Sequence, residues 1–171
     1  MGDKDMLLEF EVENFRSFAG PVTFSMIASS DKSHERHLID MEGSKDKVMR
    51  SASVYGANAS GKSNLVMAMG MLQTMVLRSH LAQLGEMIPF LPFKFGKPGE
   101  GVSTRYRVAF LADGVEYEYA VRHDAERVLE ESLHHYPRNR KAIIFERSHG
   151  QDLRAPQDNG SLRAIADKTL P

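Results

Sequence analysis

Residues 53–69 read "SVYGANASGKSNLVMAM", and the eight residues from Gly56 to Ser63 fit the pattern G-x-x-x-x-G-K-[ST]. That pattern is the P-loop, a glycine-rich turn between a strand and a helix whose main-chain amides hold nucleotide phosphates. The residues before it, "SASVYG" at 51–56, predict the strand, and the apolar spacing after Gly61 predicts the helix. The stretch therefore predicts an α/β unit that binds a nucleotide.

Each part of the predicted P-loop has a chemical task. The glycines let the backbone curl so that its amides point inward, and the helix start adds the positive end of its dipole. Lys62 is expected to reach the β and γ phosphates, and the Ser63 hydroxyl to ligate Mg²⁺. The predicted phosphate-binding residues are Gly56, Ala57, Asn58, Ala59, Ser60, Gly61, Lys62 and Ser63. The alternative is a Gly/Ser-rich surface turn that happens to precede a helix.

The predicted helix begins at Gly61 and ends between residues 80 and 85. Its apolar face follows the spacing i, i+4, i+7 and i+11, which is typical of one side of an amphipathic helix. The residues predicted to form this face are Leu65, Met69, Leu72 and Val76. Its methionines are interpreted as flexible core filler.

Alternating apolar and charged residues predict two strands before the P-loop. In residues 7–18, "LLEFEVENFRSF", Leu8, Phe10 and Val12 are predicted to share one face, with glutamates on the other. Residues 18–29, "FAGPVTFSMIAS", turn at Gly-Pro and resume as an antiparallel partner. Residues 30–47 lack a period and predict an irregular or partly helical loop.

A second group of strands is predicted after a proline-rich connector at 87–101. In "RYRVAFLADGVEYEYAVR", at 105–122, Asp-Gly separates two alternating runs, which is a strong hairpin signal. Two more strands are predicted around 128–136 and 142–147. They flank a basic loop whose cations are candidate contacts for a DNA phosphate backbone, or simply a solvated turn. Those cations are Arg138, Arg140 and Lys141.

The composition limits the class of protein. With 171 residues, 42% of them apolar, the chain is long enough for one domain with a real core. The net charge of -1 confines any nucleic-acid contact to a local basic patch. Cysteine is absent, which excludes disulfides and thiolate metal sites. No secretory signal or apolar run of membrane-spanning length is visible, so a soluble, cytoplasmic protein without a membrane partner is expected.

Three pieces of the sequence carry a resemblance to known ATPases. An N-terminal strand ending in Asn14-Phe15-Arg16-Ser17, followed by a P-loop with asparagine third, resembles the ABC-type ATPase heads of SMC and RecF-like proteins. The later piece, "YRVAFLADGVEYEYAVR" leading into "LEESLHHYPRNRKAIIFER", is more similar to bacterial AAA-family ATPases linked to OLD nucleases, RloC and abortive-infection proteins. The resemblance covers most of residues 6–150.

The resemblance implies an α/β fold, namely the N-terminal portion of an ABC-type head with an antiparallel β subdomain. It implies ATP and Mg²⁺ as cofactors, with ATP lying between the P-loop of one head and the signature motif of another. The implied partners are thus a second copy or a homologous head, the C-terminal half of the head, an effector nuclease and DNA. Asn64 is added to the nucleotide-binding set because it adjoins the P-loop, and Arg16 and Ser17 because their segment lies near the nucleotide in relatives. Asn14 and Phe15 are interpreted as a turn and a core ring.

Motifs that hydrolysis requires are not found in these 171 residues. The family needs an apolar strand ending in Asp-Glu, to support Mg²⁺ and orient the attacking water, and a signature motif. The nearest fragment, "HLID" at 37–40, is too short and precedes the P-loop. We therefore expect an incomplete head: N-terminal strands, P-loop and helix at 6–82, connector and hairpins at 83–150, and a truncated polar tail at 151–171. Such a chain is expected to bind nucleotide weakly without turning it over.

Two other interpretations remain open from the sequence. One is a regulatory module that senses a nucleotide without hydrolysing it. The other is a small P-loop kinase, although N-terminal antiparallel strands are unusual in that class of enzyme. The base, adenine or guanine, is not fixed, because P-loop residues contact phosphates.

Overall fold

The computed structural model describes residues 5–31, 35–41, 46–79, 86–96 and 102–156. Its frame is a six-stranded sheet in the order β2-β1-β5-β6-β7-β8, and a separate two-stranded sheet pairs β3 with β4. The strands are β1 (Met6–Glu13), β2 (Val22–Ser25), β3 (Leu38–Asp40), β4 (Lys47–Met49), β5 (Thr104–Ala112), β6 (Val115–His123), β7 (Val128–His135) and β8 (Ala142–Ser148). One helix, α1 (Lys62–Arg78), packs against the large sheet.

Every strand pair in the described residues is antiparallel. The predicted pairing of β1 with β2 is confirmed, and so is the β5–β6 hairpin, in which Asp113 and Gly114 both have positive φ. β1 lies between β2 and β5, so the first strands and the tyrosine-rich hairpin form one sheet, as predicted. The parallel strands that an α/β fold requires do not occur in the described parts of the chain.

The prediction of a strand at residues 51–56 is wrong. Residues 51–57 are irregular and exposed, and the nearest strand, β4, ends before them at Met49. Val54 is 50% exposed and Tyr55 89% exposed, because no described strand lies beside them to supply hydrogen bonds or apolar contacts. The loop prediction for 30–47 is also partly wrong, since β3 and the start of β4 lie within it.

One face of the large sheet packs against α1 and forms the main core. The fully buried members of this cluster are Phe10, Val12, Phe15, Ala68, Leu72, Tyr106 and Val121. Alternation along β1, β5 and β6 delivers four of them to one face, as the pattern predicts: Phe10, Val12, Tyr106 and Val121. Full burial of one such side chain is worth about 1.5–3 kcal/mol, so this face anchors the helix that carries the P-loop.

The helix face differs from the prediction at its C-terminal end. Val76 is 48% exposed, whereas Met75 packs against the core. The segment at 86–89 lies beside Met71 and Met75, so the buried side of the helix turns toward those residues. The helix ends at Arg78, and the predicted end at 80–85 lies outside the described residues.

The opposite face of the sheet is charged. A β-bulge between Leu7 and Glu9 places Leu8 in a second small cluster with Val48 and Ala109, so the prediction that Leu8 shares a face with Phe10 is wrong. Arg107 bridges Glu9 (2.9 Å) and Glu118 (3.1 Å) on this face. The buried His134 lies on the same face, and its Nε2 atom is 2.8 Å from the Glu146 carboxylate.

Candidate functional site

The P-loop turn runs into the N-terminus of α1, and Lys62 is the first helical residue. The Lys62 ammonium donates hydrogen bonds to the carbonyl oxygens of Gly56 and Ala57, both at 2.7 Å, and lies 3.4 Å from the Ser60 hydroxyl. These three contacts use the three protons of the ammonium and fix the side chain across the loop, and the long contact to Ser60 is the one that a phosphate oxygen would replace. The structure thus brings the predicted lysine and the predicted loop together.

The amides of the loop are available to a ligand. In the described residues, no hydrogen bond engages the main-chain N–H groups of Asn58, Ala59, Gly61, Lys62 or Ser63. Amides of this kind at a helix start form an anion-binding site, strengthened by the helix dipole. The Ser63 side chain is exposed and has no hydrogen-bond partner within the described ranges, so its hydroxyl is free to ligate a cation.

The residues present therefore fit a nucleotide phosphate chain with Mg²⁺. Lys62 and the loop amides would hold the phosphates, and Ser63 would hold the metal. When bound, Mg²⁺ would neutralise phosphate charge and polarise the phosphoryl group. The nucleotide-binding roles of residues 56–64 otherwise stay predictions.

Gly61 caps the helix in the left-handed conformation, with φ +96°. A Cβ at this position would lie 3.0 Å from the Phe18 ring and 3.1 Å from the Ser17 hydroxyl oxygen. Both the backbone angle and the close contact require glycine. The second glycine of the motif therefore shapes the loop and also lets the N-terminal turn approach it.

That N-terminal turn joins β1 to the P-loop helix. Phe15 and Phe18 exchange two main-chain hydrogen bonds, of 2.9 and 2.8 Å, and enclose Arg16 and Ser17. The Ser17 hydroxyl accepts a hydrogen bond from the Asn64 side-chain amide at 2.7 Å. Arg16 adopts a left-handed φ of 49° and its guanidinium contacts the Met67 sulfur on α1. The structure thus places both predicted residues beside the P-loop helix.

Asn14 and Phe15 have the structural roles that the sequence predicts. The Asn14 amide donates to the Ser103 carbonyl at 2.8 Å, and its side-chain oxygen accepts from the Phe93 amide at 3.0 Å. The Asn14 carbonyl also accepts from the Thr104 hydroxyl at 2.8 Å. Phe15 is 1% exposed in the core. Asn14 therefore ties the turn to the connector and to β5.

The basic loop lies far from the P-loop. It follows β7, whose last residue His135 pairs with Tyr117 near the start of β6, whereas the P-loop turn adjoins the opposite end of the sheet, where Glu13 pairs with Arg105. Along β6 these two places are five residues apart, from Tyr117 to Arg122, so about 17 Å of strand separates them. The basic loop is exposed. Its three cations, Arg138, Arg140 and Lys141, make no ion pair within the described residues.

Two pairs of neighbouring titratable residues, His134-His135 and Glu130-Glu131, stand out in the sequence. The structure gives His134 and both glutamates structural partners. His134 faces Glu146 and Glu118, and its hydrogen bond lowers the pKa of the Glu146 carboxyl. Glu130 pairs with Arg122, and Glu131 accepts a hydrogen bond from Arg147 and from the Tyr119 hydroxyl. Sequence alternation shows that neighbours on a strand point apart, but only the register reveals these partners.

Phe18 is the site residue that sequence reasoning missed. Its ring lies against Gly61, so it forms the wall behind the second glycine of the P-loop. A second phenylalanine in "NFRSF" was the available signal, because an aromatic ring just after a strand must pack on something.

The fold and site together define a P-loop nucleotide-binding protein. The family described as "AAA domain, putative AbiEii toxin, Type IV TA system" matches residues 51–164, and the chain belongs to this family. It thus has an AAA/ABC-like P-loop ATPase domain, and ATP binding and ATPase chemistry are the general activity of that class. No curated protein matches the chain. In the described residues, α1 is too short and too polar to cross a membrane, and no other helix is long enough.

Proposed function

We propose that the chain is the ATP-binding N-terminal half of an ABC/AAA-type ATPase head. The single observation that carries the proposal is the Lys62 ammonium, fixed by two 2.7 Å bonds across a loop in which five amides have no described acceptor: those of Asn58, Ala59, Gly61, Lys62 and Ser63. Such a site binds a phosphate chain more readily than any other ligand class. The turn that brings Arg16 and Ser17 to the P-loop supports the ABC-head type.

The same proposal assigns hydrolysis to a second lobe that supplies the Asp-Glu pair. Exposed apolar side chains support this assignment, because Val66 on α1 is 69% exposed and Leu77 is 63% exposed. Val54 and Tyr55 are exposed as well, and covering these four side chains with a second lobe would be favourable. A lobe that covers 51–57 would also supply the parallel strand neighbours that an α/β core requires.

The proposed cycle is ATP-dependent pairing of two heads, which gates an effector in DNA metabolism or anti-phage defence in the cytoplasm. The resemblance to SMC, RecF-like and abortive-infection ATPases supports this part, and the family's description is compatible with a defence setting. The lack of cysteines suits a reducing compartment. A nucleotide sensor that never hydrolyses ATP is the second candidate, favoured by the absence of an Asp-Glu pair in these 171 residues.

Binding of a fluorescent ATP analogue tests the nucleotide site. Lys62→Ala should weaken binding about 10- to 100-fold, because a charge-assisted contact to phosphate is lost. Lys141→Ala removes the same side chain at the far end of the sheet and should leave the affinity unchanged. Equal affinity of wild type and Lys62→Ala would end the proposal.

Phosphate release tests the half-head assignment separately. The chain by itself should release phosphate from ATP no faster than the Lys62→Ala variant does. Robust turnover by the wild type that Lys62→Ala abolishes would show that these residues suffice for hydrolysis. The second lobe would then be unnecessary.

A further inference from the structure

Two side-chain contacts join the P-loop helix to the β1–β2 turn, one from Arg16 to the Met67 sulfur and one between Asn64 and Ser17. Asn64, the third residue of α1, donates from Nδ2 to the Ser17 hydroxyl oxygen at 2.7 Å, across 47 residues of sequence. An amide nitrogen can only donate, so the serine oxygen must be the acceptor in this bond.

The turn that holds Ser17 is rigid. It is closed by two main-chain hydrogen bonds between Phe15 and Phe18, and the Phe15 ring is buried in the core. The Arg16 amide also donates to the Leu91 carbonyl at 2.8 Å. The backbone that carries Ser17 is thus held beside α1.

The Asn64 bond decides where that hydroxyl can act. Since Ser17 Oγ accepts from Asn64, its own proton is free to be donated, and no described residue accepts it. Ser17 Oγ also lies 3.1 Å from the point where a Cβ on Gly61 would be, so it borders the end of the P-loop. The proton is therefore available beside the loop that the proposed function assigns to phosphates.

We propose that Asn64 is a positioning residue, which holds Ser17 so that the serine hydroxyl donates toward the bound nucleotide. The inference rests on the proposed function and deepens it. It assigns the contact to Ser17 and removes Asn64 from the set that touches the ligand. Asn64 acts through Ser17, because the serine oxygen accepts one of its two amide protons.

A double-mutant cycle on ATP-analogue binding tests this assignment. Ser17→Ala and Asn64→Ala should each weaken binding about fivefold, the size of one lost hydrogen bond. The double variant should also lose about fivefold, instead of the 25-fold expected for independent contacts. Asn64→Asp keeps the shape of the side chain, but the new carboxylate accepts the serine proton. This substitution should therefore weaken binding more in the protein that has Ser17 than in the Ser17→Ala variant.

Three results would overturn the inference. They are unchanged affinity in Asn64→Ala, losses that multiply in the double variant, and an equal effect of Asn64→Asp in both backgrounds. Denaturant unfolding of the same four proteins without nucleotide gives a second test, because additive losses of stability there would mean that the two side chains are not coupled. If the wild type showed no Lys62-dependent binding, both the proposed function and the role of Ser17 toward phosphate would be wrong. The unfolding cycle would still decide whether Asn64 holds Ser17.

Discussion

Two chemically identical substitutions in α1 and its cap are expected to have opposite effects on stability. Gly61→Ala places a side chain where φ is +96°, a conformation that costs an L-residue about 1–2 kcal/mol. The new Cβ would also lie 3.0 Å from the Phe18 ring, and Phe18 belongs to the closed turn and cannot retreat freely. Overpacking of this kind adds about 1 kcal/mol or more.

Gly70→Ala is the matched control. Gly70 is exposed in the middle of α1, and nothing lies within 4 Å of a Cβ added there. Alanine is about 0.8–1 kcal/mol better than glycine inside a helix, so this variant should be more stable than wild type. Both substitutions stiffen the unfolded chain equally, so their difference, about 3–4 kcal/mol, reports the folded state.

Urea unfolding followed by far-ultraviolet circular dichroism measures both free energies of unfolding. The two variants should keep the wild-type m-value, so that a change of midpoint reports a change of stability. The reasoning would be refuted if Gly61→Ala matched or exceeded wild type in stability. It would also be refuted if Gly70→Ala lost as much as Gly61→Ala.

Three further predictions concern the charged face and the basic loop. Burial, and then the neighbouring carboxylates, raise the pKa of Glu116, so its ionised form costs stability above its unfolded pKa. Glu116→Gln should therefore stabilise the protein by about 0.5 kcal/mol at pH 7, in urea melts, with no gain near pH 4. The hydrogen bond from His134 lowers the pKa of Glu146, so its stabilisation is present above the unfolded pKa and lost as pH falls. Glu146→Gln should cost about 1 kcal/mol at pH 7 and little at pH 3, and equal losses at both would contradict a hydrogen bond from His134 to the ionised carboxylate. Removing all three loop cations should weaken binding to a DNA duplex and flatten its salt dependence, in fluorescence anisotropy at several salt concentrations; an unchanged slope would exclude a backbone contact. These cations are Arg138, Arg140 and Lys141.

The sequence by itself determined the local features of this protein. The P-loop pattern, the start of α1 and the Asp113-Gly114 hairpin depend on neighbouring residues, so their prediction needed no knowledge of the rest of the chain. Together with the N-terminal strand and the tyrosine-rich hairpin, the P-loop motif also pointed to the family to which the chain belongs.

Tertiary structure decided the features that depend on partners distant in sequence. A strand forms only where another strand supplies its hydrogen bonds, so "SASVYG" has strand-like residues but no strand. The bulge at Leu8 moved one apolar side chain to the other cluster, which alternation along β1 could not reveal. The contact between Ser17 and Asn64 spans 47 residues, and only the packing of the β1–β2 turn on α1 brings these side chains together.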